Sequence, residues 1–152
     1  LGGGGGGGGD GARDENLARL HARALEALER ITASVGDAPY QLREFLAAVK
    51  RIVAAKFDAA RLKAVGAFLF LRFMCPAIFS PEGYGVLAAA PAPAQRRGLV
   101  LTAKCLQNLA NGVKFGQKEQ FMAELNEFVL AHIAELFYFL EEVSTLHDAP
   151  PS

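Results

Sequence analysis

Between Leu17 and Val143 the apolar residues keep returning at steps of three and four, and no stretch of useful length alternates. Such a rhythm is one face of a helix turning every 3.6 residues, whereas a half-buried strand needs a period of two. Leu17, Leu20, Ala24, Leu28 and Ile31 draw a first stripe, which Gly36 ends; Asp37 and Pro39 then suit a helix start. Leu42, Phe45, Leu46, Val49, Ile52 and Val53 draw a second stripe, and Asp58 is placed to cap a third helix through the apolar run 64–79. Pro81, Pro91, Pro93 and two glycines make 80–95 mostly loop. Beyond it, Leu99, Leu106, Ala110 and Val113 form a stripe, and 118–146 supplies one long helix or two short ones, with Asn126 as the break. The spacing predicts an all-α protein of roughly five to six helices and no sheet.

The 152 residues suffice for one domain with a core, and 51% are hydrophobic. Sixteen basic residues balance sixteen acidic ones, which argues against nucleic-acid binding by bulk charge. Cys75 and Cys105 lie in separate apolar segments and read as buried free thiols of an intracellular protein. His21, His132 and His147 are scattered and no CxxC occurs, so no metal site is expected. The eight glycines after Leu1 predict a disordered tail over 1–12, with a helical unit over 13–146, a flexible end over 147–152, and a longer protein around them. No signal peptide is visible, and Arg72 and Pro76 interrupt 64–79 too early for a good membrane span.

Two features carry chemistry. On an α-helical wheel Phe68, Leu69, Leu71, Phe73 and Cys75 surround Arg72, leaving it no wide polar face. A buried guanidinium needs acceptors for five donors, which carbonyls of an adjacent loop can supply. The plainer readings are that Arg72 snorkels to the surface or pairs with a core carboxylate. Pro76 is expected to kink or end the helix just afterwards. Further on, Gln107, Asn108 and Asn111 fall within about 60° of Lys104, opposite an apolar stripe. Solvated helix faces favour Glu and Lys over Asn, so three amides there read either as a docking surface or as a face packed against a neighbouring loop.

The segments "FLFLRFMCPAIFSP", "AKCLQNLANGVKFGQKEQFM" and "LNEFV", in this order, closely resemble the Ras GTPase-activating protein (RasGAP) domain. Its hallmark FLRxxxPA is present as Phe70-Leu71-Arg72 and Pro76-Ala77, and the similarity runs over roughly 37–130. The resemblance implies an all-helical domain whose groove receives the switch regions of a GTP-bound Ras-type GTPase. An arginine finger from an upstream loop would enter the partner's nucleotide site. It further implies that Arg72 is not the finger but binds carbonyls of the finger loop and holds it, while Leu71 packs on the switch II region. Gln107 and Asn111 would line the groove, with Lys104 beside them, and Lys118 would meet an acidic surface of the GTPase. Phe70, Pro76 and Ala77 belong to the structural motif. No cofactor is implied, since GTP and Mg²⁺ sit on the partner, and neither nucleic acid nor a membrane span is expected. The location implied is cytoplasmic, with recruitment to the inner face of the plasma membrane through other parts of the protein. Arg13, Arg19, Arg23 and Arg30 lie in or beside an ordinary amphipathic helix, none in a loop like the finger loop. The 152 residues therefore resemble the C-terminal part of the domain, expected to be inactive alone; the other reading is a non-catalytic effector or scaffold that binds the GTPase.

Overall fold

The computed structural model describes residues 7–112 and 125–147. Among these no strand occurs. The elements are α1 (Gly7–Ala33), a 3₁₀ turn (Ser34–Asp37), α2 (Tyr40–Phe57), a second 3₁₀ turn (Asp58–Ala60), α3 (Arg61–Gly66), a π-helical segment (Ala67–Met74), α4 (Cys75–Phe79), α5 (Pro93–Asn111) and α6 (Asn126–Val143). With the continuous rod 61–79 counted once, the described residues hold five helices, as the spacing predicts.

Three boundaries differ from expectation. Helix α1 runs back to Gly7, so residues 7–12 are helical rather than a disordered tail. Each glycine there costs about 1 kcal/mol relative to alanine, but lengthening an existing helix adds a hydrogen bond without a new nucleus. Asp58 does not cap α3: its carboxylate pairs with Arg61 at 3.3 Å and its carbonyl accepts the Arg61 backbone N–H. Helix α5 starts at Pro93, shortening the loop to 80–92; proline suits a first turn, where its missing N–H has no intrahelical partner. Gly112, at φ +63°, closes α5 in the left-handed conformation while its N–H donates to Asn108 and Leu109 carbonyls.

The core joins Leu20, Ala24 and Leu28 of α1 to Leu106, Leu109 and Ala110 of α5 and to Phe128, Leu136 and Leu140 of α6. The rod 61–79 inserts Val65, Leu69 and fully buried Phe70 into it. Its packing is close: a Cβ built on Gly66 would stand 3.0 Å from Leu140 Cδ1 and 3.4 Å from the Ala110 carbonyl oxygen. Helix α2 lies outermost. Only its Leu46 is fully buried, while Phe45 and Ile52 of the predicted stripe are 45% and 67% exposed. By length and a mean hydropathy of 1.7, Tyr40–Phe79 contains a stretch apolar enough to cross a membrane. Part of that apolar surface is spent on the protein's own core, and part remains open.

Candidate functional site

The rod does not end at Pro76. A proline lacks the amide proton and its ring collides with the carbonyl four residues back. Here the preceding eight residues widen into a π-helix, in which the Cys75 N–H donates to the Phe70 carbonyl, five residues back. Widening makes room for the proline ring at the Arg72 carbonyl, and the rod continues to Phe79.

The same widening moves Arg72. At roughly 80° per residue, as i→i+5 bonding requires, Arg72 and Phe73 fall about 40° to either side of Phe68. All three are exposed, with Phe68 and Phe73 at 39% and 54%. Arg72 is thus flanked by two phenylalanines yet exposed rather than enclosed, which corrects the α-helical wheel. Its guanidinium has no hydrogen-bond or ion-pair partner among the described residues, so no core carboxylate neutralises it. It stands in an open apolar patch, in which the Phe45 and Phe68 rings meet at 4.6 Å.

A guanidinium wrapped in carbonyls does exist, at Arg43. It donates from Nη1 to Glu142 O at 3.0 Å, from Nη2 to Val35 O, and from Nε to Ala38 O at 3.4 Å. The Glu142 carbonyl lies in the last turn of α6 and Val35 just past the end of α1, where helix dipoles present negative charge. The sequence reading missed this residue. Its wheel position gave little signal: Arg43 projects about 60° from Leu46, outside the apolar stripe of α2 and on the side of Lys50.

Helix α5 runs antiparallel to the rod. Cys75 Sγ lies 3.6 Å from Ala103 O at one end, and Gly66 packs on Ala110 at the other. This register sets Leu71 and Arg72 level with the turn at Leu106 and Gln107. Leu71, Lys104, Gln107, Asn108 and Asn111 are all half-buried, and the α5 face opposite them is buried. None of the three amide side chains hydrogen-bonds within the described residues, whereas Lys104 has a polar contact of its own. Pro76 and Ala77 are half-buried in the rod. Lys118 lies outside the described residues. The register therefore brings Leu71 and Arg72 level with Gln107, while Asn111 lies further along, near Gly66.

Near the start of α5, Arg96 fastens the 80–92 loop. Its Nη1 donates to the Phe79 carbonyl at 3.0 Å and its Nη2 to Glu82 Oε1. That hydrogen bond is the main reason the Glu82 carboxyl titrates below the usual carboxylate range. Burial, by contrast, pushes the Cys75 thiol up to about 11. Among the described residues no three of His, Cys, Asp or Glu gather so as to hold a metal ion.

The arrangement offers a surface with unspent hydrogen-bonding capacity and one outward cation, and known proteins carry similar sequences. A relative from Rattus norvegicus, "Ras GTPase-activating protein 1", is 34% identical over 138 residues, covering 89% of the chain and 13% of the relative. "RAS protein activator like-3" from Mus musculus is 38% identical over 137 residues, with 89% and 13% covered. "Probable Ras GTPase-activating-like protein ngap" from Dictyostelium discoideum is 39% identical over 126 residues, with 80% and 14% covered. The chain thus spans 13–14% of the length of these relatives. The family described as "GTPase-activator protein for Ras-like GTPase" matches over residues 11–111, taking in α1 as well as the segments from 37 onward. This chain belongs to the RasGAP family.

Proposed function

We propose that this protein stimulates GTP hydrolysis by a Ras-type GTPase in its GTP-bound state, with GTP and Mg²⁺ supplied by that partner. Leu71, Gln107, Asn111 and Lys118 receive the switch regions, with Lys104 flanking them. Arg72 holds a finger-bearing loop that comes from outside these 152 residues and donates to its carbonyls.

The observation that carries this reading is the contrast inside one motif. Phe70 is fully buried and anchors the rod, while Arg72, two residues on, is exposed and without an acceptor among the described residues. A residue serving the core would resemble Arg43, with carbonyls already around its guanidinium. Arg72 instead waits for a segment to cover the Phe68–Phe73 patch. Catalysis then lies in the positioned finger, which neutralises charge on the transferred phosphoryl group. For Ras and its activators an arginine finger is worth a factor of roughly 10³–10⁵ in rate.

Single-turnover GTP hydrolysis tests the reading. The 152 residues alone should accelerate a Ras-type GTPase less than about tenfold. In the longer protein, Arg72→Ala should slow hydrolysis strongly and weaken binding of the GTP-loaded partner much less, because the arginine orders a loop. Equal losses in rate and affinity would make Arg72 a direct contact. Tight binding with no acceleration by the longer protein would make the domain an effector or scaffold.

A further inference from the structure

Away from the amides, α1 and the N-terminal half of α5 flank a groove in two joined parts of about 820 and 590 Å³. Its walls carry Arg13, Arg19, Arg23, Arg30 and Arg97 against one carboxylate, Glu26. In a chain whose charges sum to zero, five arginines on one concavity are a marked segregation. Glu15 and Glu26 do pair with Arg19 and Arg30, at 2.5 and 2.9 Å. Both are exposed i,i+4 pairs that bind weakly and leave donors free. Arg23 and Arg97 have no ion-pair partner among the described residues. Space for Arg23 is provided by Gly98, where a Cβ would stand 2.6 Å from Arg23 Nη1. The first turn of α5 adds Ala94 and Gln95 to the lining, at the positive end of the helix dipole.

The rim adds a second, independent observation. The loop 80–92 turns back on itself through Val86 and Leu87 N–H groups donating to Pro81 O, at 2.8 and 3.2 Å, with Gly85 at φ +71°. This turn presents Tyr84, Val86 and Leu87 outward, exposed by 50%, 66% and 46%, and Leu87 also lines the groove. Guanidinium forks match phosphate oxygens two at a time, whereas exposed apolar side chains beside them match hydrocarbon.

We propose that this groove and loop are a membrane-docking surface, with the arginines binding the phosphates of an anionic lipid headgroup and Val86 and Leu87 entering the acyl boundary. An acidic peptide would use the arginines but give no reason for the apolar turn beside them. The surface lies about two turns along α5 from Gln107 and is independent of the GTPase-activating reading.

The test is co-sedimentation of the 152-residue chain with phosphatidylcholine vesicles, with and without phosphatidylinositol bisphosphate, alongside soluble inositol hexakisphosphate as the lipid-free probe. Binding should require the anionic lipid and weaken with salt. The pair Arg23→Gln with Arg97→Gln should weaken it roughly thirtyfold, and the corresponding lysine pair should recover most of it. Val86→Ser with Leu87→Ser should reduce vesicle binding while leaving inositol hexakisphosphate binding unchanged. Thermal unfolding of each variant should match the parent. Equal binding to neutral vesicles, no binding to anionic ones, or loss in the lysine pair as severe as in the glutamine pair would overturn the proposal. So would vesicle binding that ignores the serine pair, which would leave a site for soluble phosphates alone.

Discussion

Arg43 and Arg72 are the same residue type with opposite fates, and the difference lies in what surrounds each guanidinium. Arg43 spends its donors on three carbonyls, one in the last turn of α6 and two in the segment that follows α1. Arg43→Ala should therefore lower unfolding free energy by about 2–3 kcal/mol, since charge-assisted hydrogen bonds are among the stronger ones. Arg72→Ala, at an exposed position, should change it by less than about 0.5 kcal/mol. Urea unfolding of the two variants makes the comparison, and an equal drop would refute the assignment. Cys75 offers a second check at this scale. Its burial raises the thiol from an ordinary 9.0 to about 11, so the folded protein keeps it protonated where the unfolded chain has already ionised. Stability should stay flat below pH 9 and fall as pH climbs toward 11. Correspondingly, iodoacetamide should modify Cys75 in native protein far more slowly than in urea.

At the scale of elements, the rod 61–79 and the 80–92 loop are held by different physics. The rod rests on burial of Val65, Leu69 and Phe70, the loop on the Arg96 contacts to Phe79 and Glu82. Because Glu82 titrates below its ordinary value in the folded protein, its contribution is complete above the usual carboxylate pKa. It disappears as pH falls through the depressed value. Limited proteolysis should accordingly cut 80–92 readily at acidic pH and slowly at neutral pH, using a protease active at both. Glu82→Gln should cut readily throughout. A pH-independent cutting rate in the parent protein would show that the loop is held by its backbone turn instead. The π-helical segment is likewise an element with a cause, for it ends just before Pro76, whose ring would otherwise collide with the Arg72 carbonyl.

For the molecule as a whole, substitutions on the amide face distinguish docking of a partner from internal packing. If it docks, its substitutions should alter binding and spare folding. Lys118→Glu should slow association with the GTP-loaded GTPase and reverse much of its salt dependence, as expected of a rim charge. Asn111→Ala should mainly speed dissociation, with a cost of about 1–3 kcal/mol for the unmatched polar group. Stopped-flow binding by the longer protein, combined with its melting temperature, separates the cases. Unchanged rates with a clear loss of stability would remove Asn111 from the docking surface.

The stripes of α1, α5 and α6 were legible because helical periodicity is a local property: Leu20, Ala24 and Leu28 must share a face wherever the helix lies. The motif Phe70-Leu71-Arg72 with Pro76-Ala77 and the QNLAN segment were equally legible, and with them the family. Other features depended on which elements meet. Phe45 and Ile52 satisfy the same periodicity as Leu46, yet they stay exposed, Phe45 with only the equally open Phe68 ring against it. The wheel left Arg72 no open face because it assumed 100° per residue, an assumption the proline-driven π-segment breaks. Arg43 has acceptors in residues 35, 38 and 142, and the α1–α5 groove joins arginines from residues 13–30 to Arg97. The sequence by itself determined the helices, their apolar faces and the family. Only the tertiary structure decided which faces are covered and which charges converge, because those depend on contacts between residues far apart along the chain.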